Sequence, residues 1–172
     1  SDSTAEVIFD RSYKDLKSVV IPSKIRISGH VYLVTSIGSE AFYGCSVLTS
    51  IKIPKRVTTI ESRAFSLCEG LTRIEIPSSV TNIGENAFGK CSALININVA
   101  SDNYVFSSEN GMLYDKNKTK LICVPRGKKG SIEIPLDVTS IGEYAFFCCD
   151  ELISIEIPSS VTKIQDNAFL SD

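Results

Sequence analysis

The stretch IPSSVTNIGENAF, residues 76–88, recurs as IPSSVTKIQDNAF at residues 157–169. Ten of the thirteen letters are identical at an offset of 81 residues. Repetition at a fixed spacing is the signature of repeat architectures, in which each unit stacks on its neighbours. The spacing of residues around this stretch therefore decides the fold.

Phenylalanine marks the period, because Phe42, Phe65 and Phe88 are 23 residues apart, as are Phe146 and Phe169. Other apolar residues keep the same phase, and the consensus is V-x-x-I-G-x-x-A-F-x-x-C-x-x-L-x-x-I-x-I-P. One such unit offers only about eight apolar side chains, too few for a core, whereas stacked units bury identical residues in continuous columns. The period predicts a solenoid of about five coils.

Local patterns predict the structure of each coil. The alternation in I-x-I is the two-residue period of a strand, and the following proline ends that strand because it cannot donate to a ladder. V-x-x-I predicts a second, shorter extended segment. The three-residue spacing in A-F-x-x-C-x-x-L predicts a short helical or 3₁₀ turn. The predicted coil is strand, turn, short helical turn and strand.

The period is interrupted once, since Phe88 and Phe146 are 58 residues apart. Two apolar runs, Met112-Leu113-Tyr114 and Leu121-Ile122-Cys123-Val124, flank a polar turn, which predicts a β-hairpin. We expect one solenoid domain over 1–172, with an atypical N-terminal cap at 1–33, regular repeats at 34–99, a variant repeat with the hairpin at 100–133, and regular repeats at 134–172. The last coil is truncated, which predicts an apolar edge and either a fragment of a longer protein or end-to-end self-association.

IPSSVTNIGENAFGKCSALININV resembles the BspA-type (Treponema pallidum type) leucine-rich repeat, and SSENGMLYDKNKTKLICVPRGKKGSIEIP resembles a variant repeat of that family. The resemblance implies a β-rich (α/β repeat) solenoid, a right-handed leucine-rich-repeat superhelix. It also implies a secreted or cell-surface protein of host-associated bacteria or parasitic protists, in a family that includes adhesins. It implies no catalytic residues.

Chemistry-bearing residues are few. Four cysteines (Cys45, Cys68, Cys91 and Cys149) recur at one repeat position among core residues, which predicts buried free thiols rather than a metal site or disulfides. His30 is the only histidine, and beside Gly29 it is expected at the surface. We therefore expect no enzyme, no metal and no cofactor.

Charge and hydropathy exclude two classes of partner. The formal net charge is −2, from 18 basic and 20 acidic residues, so no basic surface for nucleic acid is predicted. The apolar runs are far shorter than the roughly 20 residues that span a bilayer, so no membrane insertion is predicted.

The candidate binding residues are those that the repeat strand directs outward. They form two predicted polar ladders, with Lys52 expected beside Glu75, on a face that we call the ladder face: Ser50, Lys52, Arg73, Glu75, Asn96, Asn98, Ser131, Glu133, Ser154 and Glu156. Exposed ladders of this kind form the binding faces of solenoids. A secondary candidate is the apolar group Tyr104, Phe106, Met112 and Tyr114, although packing of the hairpin on the solenoid also explains it.

Three functions remain open at this point. The first is a non-catalytic extracellular, adhesin-like module whose ladder face recognises a protein or glycan on a host or microbial surface. The second is a structural spacer or stalk segment of a larger surface protein. An enzyme is a distant third.

Overall fold

A computed structural model describes residues 3–171. Within that range the chain forms sixteen strands and one 3₁₀ helix, Arg11–Asp15. The strands are β1 (Ser3–Val7), β2 (Ser18–Val20), β3 (Lys24–Ile27), β4 (His30–Ile37), β5 (Ser50–Lys52), β6 (Thr59–Ile60), β7 (Arg73–Ile76), β8 (Asn82–Ile83), β9 (Asn96–Val99), β10 (Phe106–Glu109), β11 (Met112–Asp115), β12 (Lys120–Cys123), β13 (Gly130–Glu133), β14 (Ser140–Ile141), β15 (Leu152–Glu156) and β16 (Lys163–Ile164).

The strand pairing confirms the predicted β-rich solenoid. Strands β4, β6 and β8 pair in parallel, with Ile37 opposite Ile60 and Ile60 opposite Ile83. Strands β12, β14 and β16 continue this pattern after the interruption. Partners in the regular coils lie one 23-residue period apart, so each coil rests on its sequence neighbour.

We call the segment between each short V-x-x-I strand and the following cysteine position the arc. The arc differs from the predicted helical turn. The residues two before and two after the column phenylalanine have positive φ, for example Arg63 (55°) and Leu67 (61°). Left-handed residues interrupt a right-handed turn, so the backbone alternates direction. The first two arcs instead hydrogen-bond to the next arc, since the Phe42 and Phe65 N–H groups donate to the carbonyls of Ala64 and Ala87, both at 2.8 Å.

Aromatic rings form the centre of the stack. Tyr13, Phe42, Phe65 and Phe88 stack in sequence, with centroid distances of 5.2, 5.4 and 5.8 Å. Phe146 and Phe169 stack at 4.7 Å in the C-terminal part. Stacked and offset ring pairs stabilise a core beyond the apolar area that they bury.

The N-terminal region contains a degenerate coil. Tyr13 occupies the phenylalanine column, β1 pairs in parallel with β4, and β2 pairs in parallel with β5. The extra residues before the first regular coil form an antiparallel pair of β3 with β4. Ser1, Asp2 and Asp172, which the predicted domain includes, lie outside the described residues; the assignment of one domain stays a prediction.

The predicted hairpin is confirmed and belongs to a three-stranded meander, because β10 pairs antiparallel with β11, and β11 with β12. Strand β11 lies between two apolar cores. Leu113 belongs to the N-terminal core, whereas Met112 and Tyr114 belong to the C-terminal core. Alternate residues of a strand point to opposite faces, so one strand joins the two blocks of repeats.

Candidate binding face

The ladder face has the predicted orientation. Ser50, Lys52, Arg73 and Glu75 are exposed, while Asn96 and Asn98 are half-buried. Beyond the meander, Ser131, Glu133, Ser154 and Glu156 are also exposed. The intervening isoleucines, such as Ile74 and Ile132, are buried. The strand period therefore separates core from surface as expected, although orientation alone assigns no binding role.

Equivalent ladder residues contact one another across coils. Ser50 Oγ donates to Ser18 Oγ, and Ser154 Oγ donates to Ser131 Oγ, both at 2.8 Å. Asn98 Nδ2 donates to Glu75 Oε1 at 2.9 Å. The expected Lys52–Glu75 ion pair is not among those formed by residues 3–171. Glu75 is held by Asn98 instead, because β7 pairs with β9 and not with β5.

The strands of the ladder face do not form one continuous sheet, although the repeat predicted that they would stack. It consists of three separate two-stranded pairs, β2–β5, β7–β9 and β13–β15. A depression of about 660 Å³ lies between β5 and β7, and we call it the ladder groove. Its rim carries the cations Lys52, Lys55 and Arg73 against one carboxylate, Glu75.

A second depression, of about 640 Å³, contains three further residues of the ladder face. It lies beyond the meander and is lined by Lys128, Lys129, Ser131, Glu133 and Glu156. Two cations and two carboxylates balance here, and Lys129 Nζ pairs with Glu151 at 3.3 Å. The meander separates the two parts, since the Ile97 N–H donates to the Gly111 carbonyl at 2.9 Å. Of the ten ladder residues, four line the ladder groove and three line the second depression, and the two depressions differ in charge.

Most of the secondary candidate group is inaccessible. Phe106, Met112 and Tyr114 are buried at 8%, 2% and 0% exposure, whereas Tyr104 is 71% exposed. Burial raises the pKa of Tyr114 to about 12. The three buried side chains fill the two cores, so in this fold they cannot contact a partner as anchors.

Three of the four predicted column cysteines are buried. Cys45, Cys68 and Cys91 are fully buried, whereas Cys149 is half-buried, and none of the six cysteines forms a disulfide. Cys68 Sγ donates to the Phe42 carbonyl at 3.2 Å, and Cys91 Sγ donates to the Phe65 carbonyl at 3.1 Å. Burial raises the pKa of Cys91 to about 12. These thiols are weak donors that fill a column, and a protonated, buried thiol is unreactive.

A buried asparagine that the sequence reasoning missed anchors the variant coil. Asn103 takes the position of Val80 one period later, and it is fully buried. Its Nδ2 donates to the carbonyls of Pro77 (3.0 Å) and Val80 (2.9 Å), while its Oδ1 accepts the N–H groups of Val105 and Phe106. The sequence could have indicated this residue, because Asn103 lies 23 residues after Val80 and is therefore a polar residue at a core position of the repeat.

The last described coil exposes an apolar edge, as expected. Ile164, Phe169 and Leu170 are 51%, 43% and 44% exposed. End-to-end association through this edge stays a prediction. His30 is exposed as expected, with Nδ1 3.2 Å from the Ser28 carbonyl. No helix in the described part of the chain is long and apolar enough to cross a membrane.

Comparisons with solved structures agree with this architecture. A leucine-rich repeat protein from Eubacterium ventriosum is 26% identical over 96% of this chain, with a TM-score of 0.59, and the chain spans 56% of that structure. The leucine-rich repeat protein of T. pallidum is 25% identical, with 86% of this chain and 73% of that one covered and a TM-score of 0.52. A leucine-rich cell surface protein from Faecalibacterium prausnitzii shares the fold at 21% identity, with 94% and 71% covered and a TM-score of 0.60.

Sequence comparison is equally specific. No curated protein sequence matches the chain. The profile of the BspA type leucine rich repeat region, however, matches in six copies over residues 5–129 and 126–171. The match spans the regular coils, the variant coil and the degenerate N-terminal coil. The chain therefore belongs to the BspA-type leucine-rich repeat family.

Proposed function

We propose that this chain is a non-catalytic, adhesin-like binding module that works outside the cell. Its partner is a protein or glycan on a host or microbial surface, and the ladder groove between β5 and β7 makes the contact. Membership of the BspA-type family supports the extracellular location, because the family resemblance implies secreted or surface proteins.

The main support for this proposal is the charge of the ladder groove. Lys52, Lys55 and Arg73 surround the groove, and its single carboxylate, Glu75, already accepts a hydrogen bond from Asn98. The groove therefore has an excess of positive charge on a chain whose overall charge is −2. Complementary charge guides partner choice and association rate, so we expect an acidic partner such as a sialylated glycan or an acidic protein segment.

The test measures binding of the purified chain to immobilised matrix proteins, to mucin and to desialylated mucin by surface plasmon resonance. A variant with Lys52→Glu, Lys55→Glu and Arg73→Glu reverses the charge of the groove. A control with Lys24→Glu, Arg26→Glu and Lys163→Glu makes the same change in net charge at exposed sites elsewhere. Saturable binding that the groove variant weakens at least tenfold, and the control does not, supports the proposal.

Two outcomes would contradict it. Equal weakening by both variants would indicate a nonspecific charge effect, and an absence of saturable binding on every surface would favour the spacer function. In that case, the chain would position another domain and bind nothing through its groove.

A further inference from the structure

A cavity of about 290 Å³ opens on the arc side of the solenoid, between the third regular coil and the variant coil. We call it the arc cleft. Its floor includes Leu113, Ile122 and Val124, and its walls include Asn86 and Glu143. It lies on the opposite side of the coil from the ladder face.

The arc cleft exists because the variant coil has a short arc. Leu121 pairs with Ile141, and the Val124 N–H donates to the Ala145 carbonyl at 2.8 Å, so these residues take the isoleucine and phenylalanine positions. Only two residues lie between Leu121 and Val124, whereas four lie between Ile83 and Phe88. No residue from 121 to 127 has a positive φ. The backbone of this arc therefore lacks the left-handed positions of the regular arcs.

The short arc leaves backbone donors of the third coil without acceptors. In the first two coils, Glu40 and Arg63 donate to the next arc at 3.2 and 3.1 Å, and Phe42 and Phe65 donate at 2.8 Å. The equivalent N–H groups of Asn86 and Phe88 meet no acceptor among residues 3–171.

Asn86 and Phe88 both line the cleft. The φ of Asn86, 52°, is close to the 55° of Arg63, so this part of the third arc keeps the left-handed conformation of the arc before it. Phe88 is only 5% exposed. Asn86 is half-buried. Buried N–H groups in native proteins are almost always paired, so the Phe88 N–H, with the Asn86 N–H beside the same cavity, indicates a site for an acceptor.

The far wall offers the complementary group. The carbonyls of Ser62 and Glu85 accept from the preceding arc, but the equivalent Glu143 carbonyl accepts from no N–H in the part of the chain that is described. Strand β8 also has a partner on one side only, namely β6. Open donors on one wall and an open acceptor on the other match the alternating carbonyl and N–H groups of an extended chain.

We propose that the arc cleft binds an extended peptide segment of a partner protein. Carbonyls of the peptide accept from the Asn86 and Phe88 N–H groups, and a peptide N–H donates to the Glu143 carbonyl. The peptide replaces the missing part of the arc, which is recognition by strand addition. This site is independent of the ladder groove.

The cleft also limits the side chains of the peptide. Its volume is at the lower end of ligand pockets, which hold about 300 to 1,000 Å³. Its apolar floor favours small side chains such as those of Ala and Ser. Two carboxylates, Glu85 and Glu143, balance two cations, Lys120 and Arg126, so the cleft favours a neutral peptide.

The first test uses amide hydrogen exchange of the free chain, followed by NMR. We expect the Asn86 and Phe88 amides to exchange at least tenfold faster than the Arg63 and Phe65 amides, because only the latter are hydrogen-bonded. Saturation with acetyl-Ser-Ala-Ala-Ser-amide should slow the Asn86 and Phe88 amides at least tenfold and shift their resonances. The same peptide N-methylated at its central nitrogens should bind about tenfold more weakly, since each lost hydrogen bond costs about that factor.

Ile122→Trp places a large side chain on the cleft floor and should abolish the peptide-induced shifts. Glu69→Trp, at an exposed turn outside the cleft, should leave them intact. Circular dichroism verifies that both variants fold. Slow exchange of Asn86 and Phe88 in the free chain would overturn the proposal, because their donors would already be paired. So would equal shifts at Arg63 and Phe65, or shifts that depend on chain concentration alone, which would indicate self-association.

Discussion

The regular coils and the variant coil solve the same packing problem in different ways. In the regular coils that are followed directly by another regular coil, the N–H of the column phenylalanine donates to the next arc, and two left-handed residues give the arc its length. In the variant coil, a three-stranded meander replaces that arrangement, and its strands direct alternate residues into two cores. The regular design repeats indefinitely, whereas the variant design joins two blocks and leaves a cleft.

The difference teaches that column position, not residue type, decides what a side chain does in this fold. Val124 occupies a phenylalanine position and Asn103 a valine position, and each is buried there. The backbone of the variant coil accommodates Val124, and hydrogen bonds accommodate Asn103. Mutations in the two regions should therefore have different costs, in a definite order.

The largest effect is expected from the aromatic column. Phe65 is fully buried between Phe42 and Phe88, so Phe65→Ala should lower the free energy of unfolding by about 4 kcal/mol. Phe88→Ala should cost about 3 kcal/mol, because Phe88 stacks on one side only and faces the variant coil. Urea denaturation measures both. The control Phe169→Ala, at 43% exposure, should cost about 1 kcal/mol or less; equal losses at all three positions would contradict a column of graded burial.

The next effect concerns the anchor of the variant coil. Asn103→Val restores the consensus residue but removes the partner of the Val80 carbonyl and of the Val105 and Phe106 N–H groups, whereas the Pro77 carbonyl still accepts the Val80 N–H. Each buried polar group left unpaired costs about 1 to 3 kcal/mol, so we expect a loss of about 3 kcal/mol in urea denaturation. Asn98→Ala removes only the surface hydrogen bond to Glu75 and should cost under about 1 kcal/mol. A stabilised Asn103→Val chain would show that the consensus valine suits both coils.

A smaller effect follows from the thiol column and depends on pH. Burial raises the pKa of Cys91 from 9.0 to about 12, so above pH 9 the unfolded chain loses its proton first. Stability from this group is complete below pH 9 and is lost as the pH rises towards 12. At pH 10 the loss should be about 1 kcal/mol for Cys91.

Urea denaturation at pH 7, 9 and 10 measures this dependence. Cys91→Ala should show a shallower decline between pH 8 and pH 10 than the parent chain, since that variant lacks one titrating thiol. Parallel declines in the two proteins would assign the pH dependence to other groups.

The smallest effect tests the left-handed positions that distinguish the regular arcs. Gly44 has φ 69° and an added Cβ would meet only the end of Lys14, so the cost of Gly44→Ala is that of the backbone, about 1 kcal/mol. Gly44→Asn should cost about half as much, because asparagine tolerates this conformation. Thermal denaturation of the two variants gives the order. Equal stability of the parent and the alanine variant would show that the arc can change its backbone.

The sequence was sufficient for the period, the columns and the outward ladder residues, because each follows from repetition at 23 residues. It also located the β11–β12 hairpin, since two apolar runs flank a polar turn. The strand β10 was missed because Ser107, Ser108 and Glu109 lack apolar alternation. The signal was Asn110-Gly111, whose positive φ values of 50° and 74° suit a two-residue hairpin turn.

Other features depend on geometry that a repeat pattern does not contain. The division between β5 and β7 arises from which strands hydrogen-bond, and both strands fit one consensus. Burial of Met112 and Tyr114 follows from the position of β11 between two cores, which no local pattern indicates. The arc cleft results from a difference of two residues in arc length, visible only after Leu121 and Val124 are placed by their partners.

The absence of disulfides among the six cysteines also sets a condition on how the chain matures. Six cysteines could form fifteen fully paired arrangements, while the folded chain contains none of them. In an oxidising medium, folding and oxidation therefore compete for the same side chains, and any bond formed early would hold apart residues that must stack. Contacts between neighbouring coils are close in sequence, which favours rapid folding. Rapid stacking would bury each sulfur before an oxidant reaches it.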